Sequence, residues 1–228
     1  MPATLHLARF TPRHAARTVG RLRRGWDALK ATPGLASARL FMLAELDTTT
    51  GGLPNPVKWG LLCGWADGGT RDAFLERGAR RLTRDASEHW GVALDPVRVR
   101  QGTLHGWTPS TEGVERLAPD EPVMVMTHGR LRNEHVWDFT VDNRRIVREM
   151  TGGPGLEMMV GLLDHPNTRA TFSLWRTQRD AVRFAYGPDG RHAPVQRLAQ
   201  DVPWGVDWFF ARFRPVVATG TWHGQRLL

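Results

Sequence analysis

The chain has 228 residues, of which 41% are hydrophobic and 24% charged, and it carries a formal net charge of +8. This composition is typical of a globular protein and excludes a disordered or collagen-like chain. A disulfide-stapled fold is excluded because Cys63 is the one cysteine. The sequence has no run of about 18 apolar residues and no apolar signal core, so we expect a cytoplasmic protein without a membrane span.

The first half of the chain predicts a strand, a helix, two strands, a helix and a strand. Leu5–Phe10 alternates as a strand does, and Thr11-Pro12 begins a helix that ends near Lys30, before a Pro-Gly pair. The remaining predicted elements of this half are strands at Ala38–Leu46 and Val57–Trp65, a helix at Thr70–His89 and a strand at Trp90–Leu104.

The second half predicts the same order of elements. They are a strand at Val123–Arg132, a helix from about Val136 to Met150, strands at Met158–Leu163 and Arg169–Leu174, helices within residues 177–207, and a strand at Trp208–Trp222.

Short motifs recur between the halves in the same order, at offsets between 108 and 121 residues. We therefore interpret the chain as a tandem duplication of two ferredoxin-like (split βαβ) repeats, at residues 1–112 and 120–228. Each sheet alone would leave one apolar face uncovered, so we predict an α+β fold in which the repeats form a pseudo-twofold barrel. The recurring pairs are Thr32–Leu35 with Gly153–Leu156, Pro54-Asn55 with Pro166-Asn167, Trp65 with Trp175, Arg71–Ala73 with Arg179–Ala181, Trp90-x-x-Ala93 with Trp208-x-x-Ala211, and Gly102–Gly106 with Gly220–Gly224.

Motifs of several enzyme classes are missing from the sequence. There is no glycine-rich phosphate loop, no His-Glu-x-x-His and no Gly-x-Ser-x-Gly elbow, which argues against nucleotide-binding, zinc-protease and serine-hydrolase functions. Lysine occurs only at Lys30 and Lys58, so 29 of the 31 basic residues are arginines, and these are spread along the chain. We therefore predict no nucleic-acid partner and at most peripheral contact with an anionic membrane.

One histidine distinguishes the two halves. His192 follows Gly187–Arg191 near a predicted helix start, whereas the corresponding stretch Arg77–Arg81 of the first half has no histidine. An imidazole in this position is able to ligate a metal ion or haem iron, and an ordinary surface or capping role fits the same residue.

The other histidines carry weaker signals. His128 and His135 flank a predicted strand–helix junction, and His223 follows a repeated Gly-Thr-x motif that suggests a role at a strand end. His6 lies on a predicted strand. His89 is predicted at the C-terminal end of a helix, where the helix dipole stabilises a positive charge.

Aromatic and sulfur-containing side chains concentrate in the second half and predict a large apolar cavity. Most such residues fill a core, but this concentration also suits a flat hydrophobic cofactor or a long apolar substrate. The residues concerned are Met124, Met126, Met150, Met158, Met159, Phe172, Trp175, Phe184, Trp204, Trp208, Phe209, Phe210 and Phe213. Among them we select Phe172, Trp175, Trp208 and Phe209 as candidate cofactor contacts.

Several segments together resemble the spheroidene monooxygenase family. The resemblance implies a duplicated ferredoxin-like haem protein, which takes dioxygen and electrons from a ferredoxin-type reductant to oxidise an apolar, carotenoid-like substrate. The sequence departs from the family at Arg191, where the family has proline. The segments are Arg9-Phe10, Thr32–Leu35, Pro54-Asn55, Leu131-Arg132, Thr171–Trp175, Gly190–Ala193, Ala211–Phe213 and Gly220–Gly224.

The resemblance also implies roles for individual residues. His192 lies in a matching stretch and is the candidate axial ligand of haem iron, and therefore the candidate metal ligand. Arg132 is the candidate catalytic donor to iron-bound oxygen, with a structural ion pair as its alternative role, and His128 is a second catalytic candidate. Two other functions remain open: a haem enzyme of the aldoxime-dehydratase type, and a non-catalytic protein that binds a hydrophobic ligand.

Overall fold

In the computed structural model, residues 1–44, 46, 53–104, 106–141, 147, 153–187 and 205–228 are described. Eight strands occur within these ranges, and they form one closed antiparallel barrel. The strands are β1 (Ala3–Phe10), β2 (Leu35–Ala44), β3 (Pro54–Trp65), β4 (Ala86–Gln101), β5 (Val123–Leu131), β6 (Leu156–Leu163), β7 (Thr168–Trp175) and β8 (Gly205–Gly220).

Helices cover the outside of this barrel. Within the described residues they include α1 (Pro12–Lys30), α2 (Gly68–Ala73), a π-helix (Phe74–Gly78), α3 (Ala79–Thr83), a 3-10 turn (Asn133–His135) and α4 (Gln178–Tyr186), and residues 136–141 are also helical. Thr177 caps α4, because its hydroxyl oxygen accepts a hydrogen bond of 3.0 Å from the Asp180 amide. Within the described ranges, no helix combines the length and the apolar character needed to cross a membrane.

The strand order repeats between the two halves of the chain. The barrel runs β4-β1-β3-β2 through the first half and β6-β7-β5-β8 through the second, so that each half has the ferredoxin-like order. Pairing of β2 with β6 and of β4 with β8 joins the halves. The predicted α+β fold with two such arrangements is confirmed, while the repeat boundaries at residues 112 and 120 stay a prediction.

The barrel interior is a packed core to which both halves contribute. Strand residues alternate in direction, so Leu5 and Leu7 of β1 point inward while Thr4 and His6 point outward toward the helices. The largest fully buried side chains of the inner core are Trp90, Phe41, Phe172, Phe209 and Phe213. A barrel of eight strands is narrow enough for such side chains to fill.

Two predicted boundaries are wrong. The second helical segment of the first half ends at Thr83, and residues 86–89 belong to β4. These residues pair with β1, where Glu88 lies opposite Arg9, and sheet pairing outweighs their local helical pattern. In the second half, Gly205 already begins β8, where a helix was predicted.

The repeated tryptophans Trp90 and Trp208 do not occupy equivalent places in the fold. Trp90 lies opposite Leu7 and points into the inner core, where it is fully buried. In β8 it is Phe209 that points inward, opposite His128, while the neighbouring Trp208 points outward. The ungapped sequence match therefore differs by one residue from the register of the sheets, and one residue is enough to exchange the two faces of a strand.

Candidate functional site

The residues predicted to form one site are separated by the structure. His128, Phe172 and Phe209 lie inside the barrel, where His128 is 4% exposed and neither phenylalanine is exposed at all. Phe172 stacks on Phe213 with 5.9 Å between ring centroids. Phe172 and Phe209 therefore belong to the packed inner core.

Trp175 lies on the other face of the second-half sheet and packs beneath α4. Its indole Nε1 donates a hydrogen bond of 2.9 Å to the Ser173 hydroxyl, and its ring contacts Phe184 of α4 at 5.1 Å between centroids. Both its polar atom and its ring thus have partners within the fold.

Arg132 and His192 are the remaining candidates. Arg132 is exposed and follows the end of β5, where its backbone carbonyl accepts a hydrogen bond of 3.0 Å from the His135 amide. His192 lies outside the described residues. The described residues contain no group of three or more His, Cys, Asp and Glu side chains arranged to hold a metal ion.

Trp208 marks a different surface, which we call the second-half outer face and define by Thr127, Gly129, Trp208, Phe210 and Arg212. These residues are neighbours on β5 and β8, where Thr127 lies opposite Phe210 and Gly129 opposite Trp208. The Trp208 ring lies so close to Gly129 that a Cβ added there would come within 2.4 Å of it. Trp208 also stacks on Phe210 at 6.2 Å and 16°. The result is an aromatic, half-buried surface beside residues with small side chains.

The second-half outer face is positively charged along one edge. Burial lowers the pKa of Arg212, and the neighbouring charges of Arg98 and Arg100 lower it further, while Tyr186 raises it. Arg100 donates a hydrogen bond of 2.7 Å to the Tyr186 hydroxyl. A carboxylate placed here would relieve the repulsion among the three guanidinium groups.

A polar cleft of about 430 Å³ opens where the two halves of the barrel meet. Trp26 and Arg39 line it from the first half, and Arg130 and His165 line it from the second. It lies near the end of β5, because Asn167, which also lines it, donates a hydrogen bond of 3.1 Å to the Leu131 carbonyl. The cleft thus lies near Leu131, the residue that precedes Arg132 in the chain.

The outer face of the first-half sheet holds a histidine pair that the sequence interpretation missed. His6 Nδ1 and His89 Nε2 are 3.3 Å apart, and the two rings stack at 5.5 Å and 10°. Burial lowers the pKa of His6 to about 3 and of His89 to about 4, so both imidazoles are neutral at physiological pH. The alternation of β1 places His6 outward, but predicting residues 86–89 as helix concealed that His89 lies on the neighbouring strand.

No model of a known protein family matches the chain. The chain is similar to spheroidene monooxygenase of Rhodobacter capsulatus, with 27% identity over 176 residues that cover 75% of this chain and 72% of the relative. Two solved structures of aldoxime dehydratase, one in complex with butyraldoxime, share the fold, with TM-scores of 0.55 and 0.56. Each is 10% identical and covers 94% of this chain, which in turn covers 80% and 79% of them. The resemblance noted in the sequence is thereby confirmed.

Proposed function

We propose that the protein is a haem-dependent monooxygenase that oxidises an apolar, carotenoid-like substrate with dioxygen and external electrons. The observation that carries the proposal is the similarity to spheroidene monooxygenase, which extends over three quarters of the chain. That similarity supports oxygenase chemistry, and the haem and the substrate class are the finer part of the proposal. The fold shared with aldoxime dehydratase is consistent with it but does not specify a reaction.

The second-half outer face fits a haem group by the chemistry of its residues. Haem is flat and apolar, with two carboxylates at one edge. Trp208 and Phe210 offer stacked aromatic surface next to the small side chains of Thr127 and Gly129. Arg212, with Arg98 and Arg100 nearby, offers the positive edge that carboxylates require.

His192 would hold the iron through one imidazole nitrogen. In the sequence it falls between α4 and β8. Bound haem would supply dioxygen activation, which no side chain of the protein can perform.

The residues of the chain itself would bind and orient the substrate and would exclude water from it. The aromatic pair Trp208 and Phe210 would keep water from the reacting groups and contact the apolar substrate. Arg132 follows the strand that carries Thr127, and its guanidinium would donate a hydrogen bond to negative charge that develops on oxygen. His128 projects from β5 into the inner core, on the face opposite Thr127, so this mechanism assigns it no role.

The proposed partners follow from the same chemistry. Monooxygenation consumes two electrons from outside the substrate, so a ferredoxin-type reductant would have to dock on the protein. The formal net charge of +8 would attract an acidic partner or an anionic membrane surface that carries the substrate.

The proposal is tested with purified protein loaded with hemin, reduced ferredoxin and spheroidene in detergent. We expect a Soret absorption band, and substrate oxidation in air that stops under argon or without the reductant. A Trp208→Ala variant should lose most of the activity, whereas Trp26→Ala, in the polar cleft, serves as the matched control.

Two results would contradict the proposal. A protein that stays colourless after incubation with hemin would exclude the haem. Turnover of butyraldoxime without dioxygen or external electrons, together with no oxidation of spheroidene, would show that the protein is a dehydratase and not a monooxygenase.

A further inference from the structure

The polar cleft between the two halves arises from a gap in strand pairing. β2 pairs with β6 through residues 42–44, which lie opposite residues 161–163. Arg39 and Leu40 belong to the earlier part of β2, which has no neighbouring strand on this edge within the described ranges. The turn of residues 164–167, which joins β6 to β7, lines the cleft together with these two residues. The volume of about 430 Å³ falls within the usual range of small-molecule sites, roughly 300–1,000 Å³.

The turn carries a histidine that the first half of the chain lacks. The Pro-Asn pair that recurs between the halves follows Leu53 in the first half and His165 in the second. Asn55 uses its side chain locally, where Oδ1 accepts a hydrogen bond of 3.1 Å from the Val57 amide. Asn167 instead bonds to the imidazole of His165 and to the end of β5. The repeated motif therefore has a different chemistry in the second half.

Asn167 determines which nitrogen of His165 carries hydrogen. Its Nδ2 donates to the Leu131 carbonyl, which is able only to accept, so Oδ1 is the amide atom that faces His165 Nδ1 at 2.6 Å. Nδ1 of His165 therefore donates, and in the neutral ring Nε2 keeps its lone pair. The side chain of His165 is exposed and lines the cleft, so Nε2 is the nitrogen that it offers to a ligand, as an acceptor.

The backbone around His165 is held by its own turn. The His165 amide donates a hydrogen bond of 3.0 Å to the Thr168 hydroxyl oxygen, and its carbonyl accepts one of 3.0 Å from the Thr168 amide. The Thr168 hydroxyl in turn donates to Oδ1 of Asp164 at 2.6 Å. An acceptor held in this way loses little conformational entropy when a ligand binds.

Arg130 offers a donor to the same cleft. Its Nε and Nη2 both donate to Oδ2 of Asp207, at 3.2 and 2.9 Å, so that Nη1 points away from this carboxylate. Across the part of the chain that the structure describes, no acceptor binds Nη1. Arg39 brings a second guanidinium to the wall, and Asp164 brings one carboxylate, so the lining has an excess of positive charge. An anion is therefore favoured over a cation.

The rest of the wall is apolar. Trp26 of α1 and Leu40 of β2 line the cleft beside the charged groups, and an indole ring suits a flat apolar ligand. A ligand that satisfies the whole wall has a carboxylate for the guanidinium groups, a hydroxyl for Nε2 of His165 and a ring for Trp26.

We propose that the cleft is a binding site for a small hydroxylated aromatic carboxylate. Its carboxylate accepts hydrogen bonds from Nη1 of Arg130, its hydroxyl donates to Nε2 of His165, and its ring lies against Trp26. Arg39 adds electrostatic attraction for the carboxylate. Asn167 is the positioning residue, because it holds the imidazole in the tautomer that accepts.

This site is separate from the second-half outer face and does not depend on haem. Gly129 belongs to that face, and Arg130 follows it on β5, so the two residues leave the strand on opposite sides.

The test is calorimetric titration of the unmodified protein with 3- and 4-hydroxybenzoate, benzoate and phenol. At least one hydroxybenzoate should bind saturably and about tenfold more tightly than benzoate, which has no hydroxyl for His165. Phenol should bind more weakly still, because it has no carboxylate for Arg130. Protein with and without added hemin should give the same affinities, so failure of the haem proposal leaves this test intact.

Variants assign the two contacts. His165→Leu, which introduces the residue of the first half, should reduce the affinity for hydroxybenzoate to that for benzoate and leave benzoate binding unchanged. Arg130→Gln should weaken both acids about tenfold. Arg77→Gln removes an exposed guanidinium outside the cleft and should change neither affinity.

The positioning role of Asn167 has a readout of its own. In ¹⁵N spectra of histidine, the hydrogen of neutral His165 should lie on Nδ1 in the unmodified protein and on Nε2 to a large extent in Asn167→Ala. The same variant should lose the preference for hydroxybenzoate while it keeps benzoate binding.

Four results would overturn the proposal. They are no saturable binding of either hydroxybenzoate, equal affinity for benzoate and both hydroxybenzoates in the unmodified protein, an equal loss of both kinds of acid in His165→Leu, and displacement of the acids by hemin.

Discussion

The two outer faces of the barrel share a scaffold and differ in chemistry. In the first half, β1 and β4 place His89 opposite Ala8 and next to His6, beneath the π-helix and α3. In the second half, β5 and β8 place Trp208 opposite Gly129. The comparison shows a neutral imidazole pair beside a small cavity in one half, and an aromatic surface with an arginine edge in the other. The strand order is duplicated, while the groups that carry chemistry are not.

The inner and outer tryptophans should respond differently to truncation, and this is the largest effect that the comparison predicts. Trp90→Ala should lower the free energy of unfolding by about 3–5 kcal/mol, since a fully buried ring leaves a cavity. Trp208→Ala should cost about half as much, because that ring is half-buried on the outer face. Urea unfolding measures both variants, and equal losses would contradict the assigned register.

The histidine pair should make the first half sensitive to acid. Both imidazoles have a pKa lowered by burial, to about 3 for His6 and about 4 for His89, against 6.5 in the unfolded chain. As the pH falls below 6.5, the two imidazoles bind protons in the unfolded state but not in the folded state. The free energy of unfolding therefore decreases between pH 6.5 and about 4. The expected slope is up to about 1.4 kcal/mol per pH unit for each imidazole.

Unfolding free energies measured between pH 7.5 and about 4.5 check this slope. A variant that carries both His6→Gln and His89→Gln should flatten the dependence, and His135→Gln is the matched control that should keep it. A double variant with the slope of the unmodified protein would show that the pair titrates normally in the folded state.

Two equivalent ion pairs should differ by a smaller amount. Arg9–Glu88 at 3.3 Å and Arg130–Asp207 at 2.9 Å occupy matching cross-strand positions in the two halves. The Glu88 side chain is 11% exposed and also accepts a hydrogen bond of 2.7 Å from the Gly224 amide, whereas the Asp207 side chain is 66% exposed.

Double-mutant cycles with alanine should therefore give a coupling of about 1 kcal/mol for Arg9–Glu88 and at most about 0.5 kcal/mol for Arg130–Asp207. High salt should reduce the second coupling more than the first. The reverse order would show that exposure does not decide the difference.

Much of the fold follows from local pattern and repetition. The alternation of Leu5–Phe10 and the Thr11-Pro12 start of α1 predict β1 and α1, and the repeated motifs predict the duplicated strand order. The register of β8 does not follow from the sequence match of Trp90-x-x-Ala93 with Trp208-x-x-Ala211. The inward position that Trp90 holds in β4 is held in β8 by Phe209, one residue after Trp208. Pairing across the sheet decides such a shift, and a linear match does not contain it.

The site was less accessible to sequence reasoning than the fold. A concentration of aromatic residues does not tell inward from outward positions, so Phe172 and Phe209 of the packed core were grouped with Trp208 of the outer face. The histidine pair depends on contact between β1 and β4, which are more than 70 residues apart in the chain. His192 lies outside the described residues, and its role as iron ligand stays a prediction.

The absorption spectrum of hemin-loaded His192→Ala tests the central claim most directly. The unmodified protein should show a Soret band that shifts on reduction with dithionite, and His192→Ala should lose the band or show it greatly weakened and displaced. His128→Ala, His135→Ala and His223→Ala should keep the unmodified spectrum. An unchanged spectrum in His192→Ala, with loss of the band in one of the other three, would contradict the assignment of His192 as the haem ligand.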